Sequence, residues 1–155
     1  LQQASWPSVR SADDSEDLQL AVDSIVVHKI PLERAYARKE DPLQLPCIII
    51  TPPRLTASAT AGVNTSDDYG KPCLVTMVMS DRQEPTLQLN LSPMSMWQQI
   101  VMRAFQNQRL PGVSEVVICH VEPAEAVIPV AWGRQVLASA VLLRFTSREP
   151  RGLTT

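Results

Sequence analysis

Prolines bracket the apolar runs of this chain, and that placement constrains its fold more than any other feature. The runs are PCIIITPPR at 46–54, KPCLVTMVMSD at 71–81 and VICHVEP at 117–123. Proline fixes φ and lacks a backbone N–H, so it suits strand ends and extended connectors rather than the middle of a helix or a central strand. Thirteen prolines stand against only five glycines. Most tight turns must therefore come from fixing φ rather than from glycine's access to positive φ. Short proline-bounded strands joined by extended connectors are the expected result.

With 155 residues the chain suffices for one two-layer core and is too short for two large domains. It is 45% hydrophobic and 19% charged, which argues for a soluble globular chain rather than a disordered one. No uncharged stretch reaches the ~20 apolar residues of a membrane-spanning helix. Residues 1–10 are too polar for the apolar core of a secretory signal. The formal net charge is -2, so no global basic field exists to grip a phosphate backbone. Three cysteines, Cys47, Cys73 and Cys119, each lie in an apolar run without CxxC spacing, a pattern that suits core thiols in a reducing compartment.

Residues 1–14 lack apolar periodicity and read as an extended N-terminal arm whose single large anchor is Trp6. Ser15 followed by Glu16 and Asp17 suits a helix start, and Leu18, Ala21, Val22, Ile25 and Val26 recur at helical spacing, predicting a first helix over 15–27. Strands are expected at 33–39 and 45–51, turning at Asp41-Pro42. Residues 54–71 are rich in Thr, Ser, Ala, Asp and Gly and predict a long exposed loop. Residues 72–81 predict a central strand, with Cys73, Val75, Met77 and Met79 on one face and Leu74 and Val78 on the other.

The second helix has the clearest pattern. Ser92 as cap and Pro93 at the first helical position precede a stripe of Trp97, Ile100, Val101, Ala104 and Phe105, with a stop at Leu110 before Pro111-Gly112. Strands follow at 115–121 and 137–145, and the segment between them holds Trp132 and Arg134. The tail 147–155, with Arg148 and Arg151 around Pro150, reads as a docking strap. The fold class expected is α+β: a mostly antiparallel sheet packed by two main helices, with a long loop and terminal arms. One domain spans 15–146 between the arm and the strap.

Reactive chemistry finds little support. Cys119 and His120 are adjacent in a predicted strand, so their side chains point to opposite faces and cannot form a nucleophile pair. No glycine-rich phosphate loop, GxSxG elbow or HExxH occurs, and no metal-ligand spacing joins the cysteines to His28 or His120. Asp67-Asp68 beside Tyr69 reads as solvation before catalysis. No catalytic residue, metal or cofactor is expected. Charge, by contrast, is uneven: residues 1–81 hold 7 basic and 11 acidic side chains, and residues 82–155 hold 7 and 5. Identical copies could meet acid to base, closing into a ring where the rotation allows.

Over residues 15–153 the order of elements resembles the small ring-forming tail-terminator and neck proteins that join head to tail in tailed bacteriophages. The pieces that carry the resemblance are PCIIITPP, GKPCLVTMVMSD, MWQQIVMRAF, LPGVSEVVICHVEP and LLRFTSREPRGL. It implies a structural virion protein, assembled in the host cytoplasm into a ring, expected to be hexameric, at the head-tail junction. Such a ring ends tube growth, joins the tube to the connector, and lets DNA pass through its lumen without sequence-specific binding. Its partners would be further copies of itself, the connector or adaptor, and the tail tube. Interface candidates are Trp6, Arg54, Asp67, Asp68, Tyr69, Trp132, Arg134, Arg148 and Arg151. The alternatives are a head-closure, adaptor or tail-completion protein, a monomeric binding module, or a small cytoplasmic enzyme.

Overall fold

A computed structural model of the chain describes residues 6–10, 17–20, 25–27, 45–51, 58–61, 66–80, 90–125 and 137–150. Its centre is a six-stranded sheet. Strands β3 (Ile25–Val27), β4 (Cys47–Thr51), β6 (Ser66–Ser80), β8 (Leu137–Pro150) and β7 (Val116–Glu125) follow one another across it. β5 (Ser58–Ala61) pairs with β6 off this path. The pairings are antiparallel except β3 with β4, which is parallel. A separate two-stranded ribbon joins β1 (Val9–Arg10) to β2 (Asp17–Leu18).

One helix, α1 (Leu91–Phe105), is present among the described residues. The expectation of two main helices is therefore corrected: within 15–27, the described pieces Asp17–Leu18 and Ile25–Val27 are strands. The triplet Ile25-Val26-Val27 is wholly β-branched, and branching at Cβ restricts χ1 and favours strands. Its backbone pairs with Ile48, Ile49 and Ile50, a nonlocal partner that outweighs the local helical spacing. The strand and turn expected over 33–42 lie outside the described residues.

The long loop is also corrected. Residues Ser58–Ala61 form β5, and β6 starts at Ser66 rather than at Pro72. β5 pairs with β6 from Asp67 to Gly70, and β4 pairs with β6 from Leu74 to Val78, both on the side away from β8. Among the described residues, Lys71, Pro72 and Cys73 between them pair only with β8. A proline can thus sit midway along a 15-residue strand, because the ladder is interrupted where its missing N–H would otherwise be noticed.

α1 packs on one face of the sheet. Met94, Trp97 and Val101 are buried against Ile48, Val75, Met77, Met79, Leu137, Val141, Leu143 and Cys119. Trp97 and Val101 lie one turn apart, as the apolar stripe requires. Phe105 meets Phe145 edge-on, ring centroids 6.2 Å apart. The opposite face is buried at the same end of the sheet, where Ile49, Val78 and Ala138 are inaccessible, so the strands there are buried on both faces, with Thr76 and Ser139 among the apolar residues.

The helix starts one residue after Asn90, whose carbonyl accepts the N–H of Met94 at 3.0 Å. Pro93 falls in the first turn, where the N–H groups have no intrahelical partner, so it costs no hydrogen bond. The helix ends at Phe105, short of Leu110. Asn107 adopts a left-handed φ of 57°, and the chain then runs along the outer edge of β7. Asn107 N–H donates to Cys119 O at 2.9 Å, Cys119 N–H to Gln108 O at 3.0 Å, and Val121 N–H to the Gln106 side-chain oxygen at 2.9 Å. Bonds to a neighbouring strand replace the last helical turn. The reversal into β7 runs through Pro111 and Gly112, with Val113 N–H on Leu110 O at 3.2 Å and Gly112 at φ 80°, the geometry of a type II turn. β7 continues past Pro123 to Glu125; an edge strand tolerates proline.

Candidate interaction surface

The β6–β8 ladder runs from Ser80 opposite Leu137, past an irregularity after Val78, to Ser66 opposite Pro150, and its character changes along the way. From Cys73 to Met79 β6 is apolar apart from the buried Thr76 and lies under α1. From Ser66 to Lys71 it carries Asp67, Asp68, Tyr69 and Lys71, facing a stretch of β8 that carries Arg148 and Glu149. β8 runs on to Pro150, through the first residues of the stretch read as a strap.

Register places Asp68 opposite Arg148. The guanidinium donates twice to the carboxylate, Nε to Oδ1 at 2.9 Å and Nη2 to Oδ2 at 3.1 Å. A two-pronged contact of this kind fixes orientation as well as charge. It holds the Asp68 carboxyl below its ordinary range and raises the Arg148 guanidinium above its own. Lys71 donates to Glu149, which also accepts the Ser147 hydroxyl at 3.1 Å. These contacts lower the Glu149 carboxyl, the lysine's hydrogen bond first and the serine's second. Arg144 reaches across to Glu122 of β7 at 3.1 Å, and Arg148 N–H donates to Glu115 O at 2.8 Å. Cross-strand charges of opposite sign thus tie β6, β8 and β7 together on an accessible part of the sheet.

Of the residues singled out from the sequence, Asp67, Asp68, Tyr69 and Arg148 come together on this ribbon. Trp6 sits apart, half-buried against the helix, its ring 5.0 Å from that of Trp97. Arg54, Trp132, Arg134 and Arg151 lie outside the described residues. Sequence reasoning missed Lys71, Glu115, Glu122, Arg144 and Glu149. The signal in the sequence was slight: of the register pairs Asp68–Arg148, Gly70–Thr146 and Pro72–Arg144, only the first joins opposite charges.

The thiols are poorly placed for nucleophilic chemistry. Burial pushes Cys47 up to about 12 and Cys119 up to about 11, and raises Cys73 as well. Such thiols stay protonated at neutral pH, and the thiolate is the reactive form. Cys119 is buried while His120 is exposed, so the two side chains face apart. Among the described residues no three His, Cys, Asp or Glu side chains converge as metal ligands, and no helix is long and apolar enough to cross a membrane. The chain matches no protein-family model, no curated protein and no solved structure.

Proposed function

We propose that this chain is a structural subunit of the neck of a tailed bacteriophage. Copies of it form a ring at the head-tail junction, which ends the tail tube, joins it to the connector and leaves a lumen for DNA. The observation that carries this reading is the two-character β6–β8 ladder: a helix-covered apolar half anchors the subunit, and a charged, accessible half is available to neighbouring copies or rings.

Two further features support it. The Arg148 guanidinium is held by Asp68 and that of Arg144 by Glu122, so these cations are committed to carboxylates rather than gathered against a phosphate backbone. A subunit with net charge -2 forms a lumen through which duplex slides rather than sticks. Buried, protonated thiols at Cys47 and Cys119 suit an architectural part more than a catalyst.

The decisive experiment is imaging of the native particle with this subunit labelled. Density at the junction of portal and tail is expected; its absence there would overturn the assignment. Light scattering over a range of concentrations tests the ring itself, because a mass fixed at 17.1 kDa, even with neck partners added, contradicts it. A terminator and a head-closure or adaptor protein separate by which neighbouring ring the subunit captures in a reconstituted mixture: the tail tube or the connector.

A further inference from the structure

The seat of α1 on the sheet is built largely from adaptable side chains. Trp97 supplies bulk, but four of the chain's five methionines pack in the same layer, Met94 and Met102 from the helix and Met77 and Met79 from β6. An unbranched thioether fills irregular gaps and adjusts when its neighbours shift, so it holds a helix down without fixing where it lies.

Two glutamines of α1 make contacts of the opposite kind. Near the middle of the helix, the Gln98 side-chain amide donates to the hydroxyl of Ser139, which is inaccessible on β8 and lies opposite Met77 of β6. Eight residues on, about 12 Å along the axis, the Gln106 side-chain oxygen accepts the Val121 N–H of β7 at 2.9 Å. Eight residues are two full turns and about 80° more, so both side chains lean toward the sheet. A hydrogen bond weakens steeply when misaligned, and a polar contact enclosed in an apolar layer can single out one register among several.

We infer that Gln98 and Gln106 act as a two-point register lock: they select one seat for α1 on an adaptable apolar face, and with it the position of the chain that closes the outer edge of β7. The consequence reaches past the helix. Asn107 N–H meets Cys119 O, and Cys119 N–H meets Gln108 O, where α1 ends level with β7. A helix displaced by one turn, about 5.4 Å, carries residues 107 and 108 out of step with Cys119. The lock is therefore a guard on that edge as well as a positioning device for α1. It stands on these contacts and is independent of the ring reading.

Amide hydrogen exchange, followed residue by residue, tests the lock in full-length Gln98→Met, Ser139→Ala and the double variant. Protection at Asn107, Cys119 and Val121 should fall about threefold to tenfold relative to 75–78 in the sheet centre. The Trp97 indole N–H, which donates to Pro7 O, should give a broadened or doubled signal as α1 samples more than one seat. The double variant should lose no more than the larger single loss, because both substitutions break the same contact. A uniform loss of protection across the sheet would mean that the pair adds stability without choosing a seat, and overturns the inference. Unchanged ratios with one sharp indole signal overturn it equally, as does failure of Ser139→Ala, which removes a single oxygen, to fold. Gln106→Met changes an exposed side chain and tests the second point. It should raise exchange at Asn107 and Cys119 as well as at Val121, whereas a change confined to Val121 would reduce Gln106 to a local cap and sink the two-point lock.

Discussion

The two ends of the β6–β8 ladder share one backbone and one register but are held by different physics. At the end under α1, Val75, Met77 and Met79 of β6 and Leu137, Val141 and Leu143 of β8 are removed from water, and apolar burial there stabilises by roughly 25 cal/mol per Å². At the other end, Asp68, Lys71, Arg148 and Glu149 meet in water-screened pairs, and exposed pairs contribute little to global stability. A strand can thus be anchored firmly at one end and present a specific, weakly stabilised surface at the other. The difference teaches that order at the charged end is borrowed from the apolar end through the continuous ladder.

The sharpest way to break this contrast is Trp97→Ala. Removing that buried indole should cost about 3–5 kcal/mol, read as a fall in the urea midpoint with the slope unchanged. Leu143→Ala, in the same layer, should cost about 2–5 kcal/mol; a loss comparable to that of a surface substitution would mean that the apolar end is not the anchor.

Next in size is the alkaline response of the thiols. The folded values of Cys47 and Cys119 are raised, so their contribution to stability is complete below the unfolded thiol value, about 8.5, and is lost as pH rises toward about 11 and 12. At neutral pH a thiol reagent should label both only as fast as the protein opens. Rapid labelling of Cys119 in folded protein would instead revive a nucleophilic role.

The smallest global effect belongs to the charged end. Asp68→Asn should move the urea midpoint far less than Leu143→Ala, yet speed amide exchange at 67–70 relative to 75–78, and the double variant Asp68→Arg with Arg148→Asp should recover the protection. Acid sharpens the same contrast. Asp68 and Glu149 have lowered folded values, so their stabilisation is present above the unfolded carboxyl range, about 4, and is lost as pH falls through the folded values. Exchange at 67–70 should therefore rise at acidic pH before exchange at 75–78, and a simultaneous rise in both would erase the distinction.

Local sequence revealed the elements whose partners are signalled by their own periodicity. The stripe through Trp97, Val101 and Phe105 marks α1, and the runs CIIIT and LASAVLLRF mark β4 and most of β8. Elements fixed by distant partners stayed hidden. Ile25–Val27 carries a spacing compatible with a helix until Ile48–Ile50 offers a parallel ladder. Residues 66–71 look like a solvated loop until 145–150 pairs with them. The candidate surface was half visible for the same reason: Asp67, Asp68, Tyr69 and Arg148 stand out by chemistry, but the contact between Asp68 and Arg148 joins positions 80 residues apart. The early stop of α1 was equally unreadable, because it depends on Cys119 and Val121 arriving alongside.

The stretch after α1 has a bearing on how the sheet escapes aggregation. By engaging the outward amides of Cys119 and Val121, it blunts this rim of the sheet as a template for strand-on-strand polymerisation, the hazard that open sheet margins carry. Any chain that meets this rim at Cys119 and Val121 must therefore engage it through side chains, which discriminate, rather than through bare main chain, which does not.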